Sequence, residues 1–292
     1  MKGRTLTAAL AAAAAVAAIL VLALGGGSNG TALDPVAQAA QTTARAGGAR
    51  MTFTGTVSVP GVSAPITIAG SGYVNFGAFE GEMWLSMAGL PPSAASRLPG
   101  GTLQMTEIFK SATLYIGSPL FDGKLPGGAH WTKLDLARVD QALGLDPSSF
   151  TSGGSNPAQY LRYLSAAGAT TSIAGHERVR GVPTTHYVGT LDLLKAAAAQ
   201  PGADQAKLKA ALGRLASQTG AAAVPIGVWI DGQGRVRRLS LTLAEQTSGQ
   251  QVAVAVACEY FDFGPTPTVN PPSGSEVFDL TERTVQGLSS TG

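Results

Sequence analysis

The sequence predicts an α+β protein built on one wide antiparallel sheet, with helices inserted between groups of strands. Three observations predict it. Apolar and polar residues alternate from Met51 to Val59 and again from Ile66 to Phe76, the same period returns in the runs between Val224 and Phe263, and short turn signals separate the successive runs.

Asp34-Pro35 followed by Val36 to Ala46 reads as a first helix, because Asp caps well and Pro suits the first turn. Gly47-Gly48 ends it. In the next strand Met51, Phe53, Gly55, Val57 and Val59 share one face, against Thr52, Thr54, Thr56 and Ser58. Pro60-Gly61 turns the chain, and Ile66, Ile68, Gly70, Gly72, Val74 and Phe76 repeat the pattern. A third strand carries Phe79, Gly81, Met83, Leu85 and Met87, after a short turn around Gly77-Ala78. Tight links between successive strands mean an antiparallel meander.

Further strands are expected at Leu103–Ile108, Thr113–Gly117 and Ala129–Leu134, then helices at Leu136–Leu143 and Pro157–Ala167. Strands resume at Thr170–Val179 and Thr184–Thr190, linked through Gly181-Val182-Pro183. A helical section follows from Leu191 to about Ser217. Val224–Ile230, Val236–Leu243 and Gln250–Phe263 close the series, with Asp231-Gly232-Gln233-Gly234 as a hairpin turn. About eleven strands in one sheet would curl. Gly55, Gly70, Gly72 and Gly81 mark candidate bends or close backbone approaches. Helices covering the apolar face of such a sheet can leave a hollow beneath them.

The N-terminus carries Lys2 and Arg4, an uncharged run of 19 residues from Leu6 to Leu24, and then Gly25-Gly26-Gly27-Ser28-Asn29-Gly30. A positive end, an apolar stretch and small residues form an export signal, which places the remainder outside the cytoplasm. The run also approaches the roughly 20 residues that span a bilayer. Residues 1–25 are therefore read as a signal peptide or a retained N-terminal membrane anchor, and 26–33 as a Gly/Ser-rich linker. Glycines stand where a lipid-bearing Cys would follow such a signal, and Cys258 is the single cysteine, so lipid attachment at the N-terminus and an internal disulfide are both excluded.

Beyond the signal about 265 residues remain, enough to bury a core. The formal charge is +2, and Lys2 and Arg4 supply both units, leaving a near-neutral remainder with no basic face for nucleic acid. His130, His176 and His186 are widely spaced, without a metal-ligand pattern or a cysteine pair. No nucleophile elbow and no phosphate-cradling Gly-rich loop is present. These absences point to a protein that is not an enzyme and uses neither cofactor nor metal.

Five segments, in order, carry a resemblance. They are Gly128-Ala129-His130-Trp131-Thr132-Lys133-Leu134-Asp135-Leu136, the run from Asn156-Pro157 to Leu164, and Arg180-Gly181-Val182-Pro183-Thr184-Thr185-His186-Tyr187. The other two are Val224 to Val236 with its Trp229-Ile230-Asp231 hairpin, and Tyr260-Phe261-Asp262-Phe263-Gly264. Together they resemble the LolA-like lipoprotein carriers, in particular the actinobacterial LppX/LprG-type family, over roughly Asp34 to Leu280. The resemblance implies a half-barrel of about eleven antiparallel strands wrapped over several helices, enclosing an apolar cavity. It implies a domain over 34–280 that holds acyl chains of lipids or lipidated molecules, with 281–292 as a C-terminal tail. It further implies an extracytoplasmic monomer that meets a membrane surface, with a membrane transporter as a candidate partner. The chain departs from the family at the missing lipid-bearing Cys, which bears on anchoring and leaves the cavity untouched.

The residues themselves supply a candidate lining: Met51, Phe53, Val57, Met83, Leu85, Met87, Leu103 and Met105 fall on one face of neighbouring strands. Four of the chain's five methionines are among them. Flexible methionines suit a site that accepts chains of varied shape, although the same residues also fit an ordinary core. The apolar loop Ala88–Gly101 reads either as a gate over the cavity or as a plain linker. Arg235, Arg237 and Arg238 read as a solvated strand edge or as a surface for anionic headgroups. Trp131 and Trp229 are expected to pack the sheet, and Asp231 to serve the turn. The leading expectation is a lipid carrier. The rival is an envelope stress sensor of the same fold, which would need a second domain or a large partner surface; too few residues follow Leu280 for such a domain.

Overall fold

The computed structural model describes residues 35–58, 64–143, 171–192, 223–247 and 250–290. The expected signal or anchor, the linker, the Pro60-Gly61 turn, the Pro157–Ala167 helix and nearly all of the Leu191–Ser217 section lie outside these residues. Among the described residues, no helix is long and apolar enough to cross a membrane.

The strands are β1 (Gly48–Ser58), β2 (Ile66–Asn75), β3 (Glu80–Ala88), β4 (Leu103–Lys110), β5 (Thr113–Gly117), β6 (Trp131–Asp135), β7 (Ser172–Val179), β8 (Val182–Asp192), β9 (Ala223–Asp231), β10 (Val236–Thr247), β11 (Gln250–Phe261) and β12 (Val277–Asp279). The helices are α1 (Pro35–Ala44), α2 (Pro92–Ala95), α3 (Leu136–Leu143) and α4 (Thr281–Ser290). All twelve strands form one sheet in the order β12-β6-β5-β4-β3-β2-β1-β11-β10-β9-β8-β7. Every pairing is antiparallel except β12 with β6. The sheet is open, with β12 and β7 at its edges. β1 stitches its halves together, pairing β2 on one side and β11 on the other.

Beyond small shifts of element ends, four features differ from expectation. The sheet has twelve strands rather than eleven, because the three-residue β12 carries too short a pattern to read. Residues 281–292, expected as a tail, include α4, which packs against α3; Arg138 of α3 meets Glu282 of α4 at 2.7 Å. Leu191 and Asp192 extend β8 instead of starting a helix, since β9 supplies hydrogen-bonding partners at Val224 and Ala223. The β7–β8 link is the two-residue turn Arg180-Gly181, with Val182 and Pro183 already in the strand; both turn residues have positive φ, 48° and 78°, as a primed hairpin turn requires.

Alternation places one apolar face of the sheet in a single core that spans β1–β4 and β9–β11. α1 covers part of it with Val36 and Ala39. The other face is polar over much of its area, and there the chain doubles back. The segment after β11 crosses behind β2 and β4, burying Val269 against Tyr73 and Ile108 before β12 joins β6. Lys110 Nζ donates to the Val269 carbonyl at 2.7 Å, holding the crossing in place.

The opposite half bends. β8 and β1 are separated by three strands, yet Arg180 at the β7–β8 turn donates to Glu259 of β11 at 2.9 Å and to Thr52 of β1 at 3.0 Å. With strands about 4.8 Å apart, a flat sheet would hold β1 beyond an arginine's reach. The hairpin therefore leans across the polar face, and the Arg180 guanidinium lies 3.9 Å from the centre of the Phe261 ring.

Candidate functional site

The meander β1–β4 aligns its inward residues in rows. Gly55, Ile68, Met87 and Leu103 form one, Phe53, Gly70, Leu85 and Met105 the next, and Met51, Gly72, Met83 and Glu107 a third. Val57, opposite Ile66, continues the face. All eight candidate lining residues are thus brought onto one contiguous face, and all are buried in the same core.

The glycines shape this face. A Cβ on Gly70 would overlap the Leu85 side chain, so the missing side chain lets Leu85 lie flat across β2. A Cβ on Gly72 would overlap the Glu82 carbonyl and the Met83 Cα, so the backbones of β2 and β3 approach closely there, as expected of such glycines. Bulk is thereby concentrated in methionine, leucine and phenylalanine, which are flexible or flat.

The segment after β3 closes over this face. Leu90 is buried in the core, and Ala94 and Ala95 of α2, with Leu98 beyond it, pack against the same cluster. The stretch expected as an apolar loop is therefore a short helix with a 3-10 turn at Pro99–Gly101, its small apolar residues packed against the core.

Glu107 is the residue that motif reading passed over. It follows Leu103 and Met105 on the inward face of β4, and Met83 and Ile116 occupy its register positions on β3 and β5. It is only 6% exposed, and its Oε1 has no hydrogen-bond partner. Burial pushes its carboxyl up to about 7. The signal was present in the alternation, which places a carboxylate where Leu, Met and then Glu share a face.

The basic cluster is inward-tied rather than free. Arg235 and Arg237 converge on Asp231, at 3.1 and 2.7 Å, and both guanidinium groups lie over the Phe263 ring. Arg238 pairs with Glu259 at 2.6 Å. The expected solvated edge is instead a half-buried network, and Arg180 of the β7–β8 turn shares Glu259 with Arg238. Asp231 Oδ1 also accepts the backbone N–H groups of Gln233 and Arg235, each at 2.9 Å, which fixes the hairpin turn as expected. Burial raises its carboxyl, but the Arg235 N–H, the Arg237 guanidinium and the Arg235 charge together hold it below the usual carboxylate range.

Trp131 and Trp229 both pack against the sheet, as expected. Trp229 stacks on His186 with ring centres 3.9 Å apart and donates its Nε1 hydrogen to Glu177 at 3.1 Å. Trp131 lies against Gly117, where a Cβ would meet its ring at 2.9 Å. Beside the Trp229 stack, His176, Glu177, Thr184, Thr185 and Asp231 line an open hollow of about 550 Å³ on the polar face. Among the described residues no group of three or more His, Cys, Asp or Glu side chains could hold a metal ion. Cys258 is fully buried, and burial pushes its thiol up to about 12.

No family model matches the chain. A Streptomyces griseus protein, described as an uncharacterized 31.2 kDa protein in the rplA-rplJ intergenic region, is 30% identical over 169 residues, which are 57% of this chain. The chain spans about half the length of that relative, 53%. Among solved structures the chain is similar to the Mycobacterium tuberculosis lipoprotein LppX, at 14% identity and a TM-score of 0.47, over 81% of this chain and 96% of LppX. It is also similar to LprF from Mycobacterium bovis, at 15% identity and a TM-score of 0.38, over 83% of this chain and 99% of LprF.

Proposed function

We propose that this chain is an extracytoplasmic, non-catalytic lipid-binding protein, which holds acyl chains against the apolar face of β1–β4 while they cross the cell envelope. The observation that carries this reading is the composition of that face. Met51, Met83, Met87 and Met105 stand with Phe53, Val57, Leu85 and Leu103 on four adjacent strands, under a segment of small apolar residues. Each methylene withdrawn from water there contributes about 0.8 kcal/mol, so an acyl chain needs only area and adaptable walls to bind. Methionine supplies the adaptability. The segment holding Leu90, Ala94, Ala95 and Leu98 is the element that would move to admit a chain, since it is the short connection over the face. The five-segment resemblance to LolA-like carriers supports the same reading. In this mechanism transfer is reversible and no covalent step occurs.

Native mass spectrometry of the protein purified from an actinobacterial host, followed by lipid extraction, tests the reading. A stoichiometric adduct that extracts as a diacyl or triacyl lipid is expected. A clean unliganded mass, together with no uptake of a fluorescent acyl probe, would overturn it.

A further inference from the structure

An apolar wall explains how acyl chains are held, but it says nothing about how one lipid is told from another. Glu107 breaks that wall. It belongs to the row of Met51, Gly72 and Met83, two residues beyond Met105 on the same strand, and its Oε1 is buried without a partner. A buried polar atom left unsatisfied is unfavourable, and native structures retain few of them. Among the described residues nothing uses this carboxyl: it caps no helix and forms no ion pair or hydrogen bond, and the residues at its register positions are a methionine and an isoleucine.

We propose that Glu107 is the polar anchor of the acyl site, its carboxyl accepting a hydrogen bond from the hydroxyl of an uncharged, hydroxyl-bearing acyl lipid such as a diacylglycerol. This rests on the lipid-binding reading above. The surroundings select the class. An ammonium headgroup would bring three N–H donors into a place where Met83, Met105 and Ile116 offer no further acceptor, and a buried ion pair lacking those bonds does not repay its desolvation. A phosphate would have to give up its hydration beside a buried side chain to which no cation is paired among the described residues, so its charge would go uncompensated. A hydroxyl brings one donor for one vacant acceptor, and its acyl chains continue onto the methionine rows.

The test is competition against a fluorescent palmitate probe on the delipidated full-length chain. The competitors are dioctanoylglycerol, its methyl ether at the free hydroxyl, and the analogue carrying an amine there. The free hydroxyl is expected to compete about tenfold better than the ether, the cost of one unmade buried hydrogen bond. Glu107→Met should bring that ratio close to one, and Glu107→Gln, which keeps an acceptor, should retain part of the preference. Equal competition by alcohol and ether in the unaltered chain overturns the anchor and leaves the lipid reading standing. Strongest competition by the amine overturns it in favour of an ion-pair site. Failure of the probe and all three lipids to bind overturns both readings. The wild-type comparison and the glutamine variant decide the matter even if Glu107→Met does not fold.

Discussion

Thr43 bolts the first helix to the sheet: its Oγ1 donates to the Ala39 carbonyl at 2.7 Å and accepts the backbone N–H of Val236 at 2.8 Å. Thr43 is fully buried and Val236 nearly so. The hydroxyl therefore ties the last turn of the helix to the sheet and satisfies a strand donor that has no water to turn to. Thr43→Val keeps the shape and removes the acceptor. It is expected to destabilise the protein by about 1–3 kcal/mol in urea unfolding, whereas Thr43→Ser should lose much less. Equal losses for the two variants would show that the methyl group, not the hydrogen bond, holds the junction.

Glu107 gives stability an unusual dependence on pH. Its carboxyl ordinarily ionises near 4.5 and here near 7. The folded chain thus binds more protons than the unfolded one between those values, and stability falls as pH rises through that window. The loss is on the order of 3 kcal/mol. Without added lipid, Glu107→Gln is expected to melt higher than the unaltered chain at pH 8 and close to it at pH 4.5. Melting curves that stay parallel across this range would contradict the buried, unpartnered carboxyl.

Asp231 works in the opposite sense. Held below the usual range by the Arg235 backbone N–H and the two guanidinium groups, it stabilises the fold above its ordinary value of 3.8. That contribution is lost as pH falls through the depressed folded value. Asp231→Asn keeps an acceptor for the turn but gives up the ion pairs, and should cost roughly 1–3 kcal/mol at pH 7. The gap between variant and parent is expected to close below about pH 4, as chemical denaturation at a series of pH values would register.

Gly72 tests the close approach of β2 and β3. A Cβ there would overlap backbone atoms, the Glu82 carbonyl and the Met83 Cα, which no side-chain rotation can relieve. Gly72→Ala is expected to cost about 1–3 kcal/mol or more. Gly274, whose Cβ would face open space, serves as the control and should tolerate alanine with little change. A circular-dichroism melt of each variant separates the two outcomes.

Much of the sheet was legible because a half-buried antiparallel strand writes its own period. β5 begins and ends where alternation and turn residues place it, and β1 to β4 needed only adjusted ends. The candidate face was legible for the same reason: Met51, Met83 and Met105 occupy inward positions on their strands. Glu107 shares that parity and was readable in principle, but a single acidic residue in a run draws no attention until its neighbours across the sheet are known. β12 was not legible, since three residues carry no period and its pairing with β6 depends on a partner almost 150 positions away.

The arginines show where local reading ends. Arg235, Arg237 and Arg238 follow a turn on an apparently exposed strand, and nothing nearby in sequence announces Phe263, Glu259 or the lean of the β7–β8 hairpin. By itself the sequence determined strand positions, the identity of the inward face and the turn chemistry at Asp231, because these depend on residues two to four apart. Only the tertiary structure decided the strand order through β1 and β11, the pairing of the basic cluster, and the isolation of the Glu107 carboxyl. Those are properties of contacts between distant segments, and burial and charge pairing exist only once such segments meet.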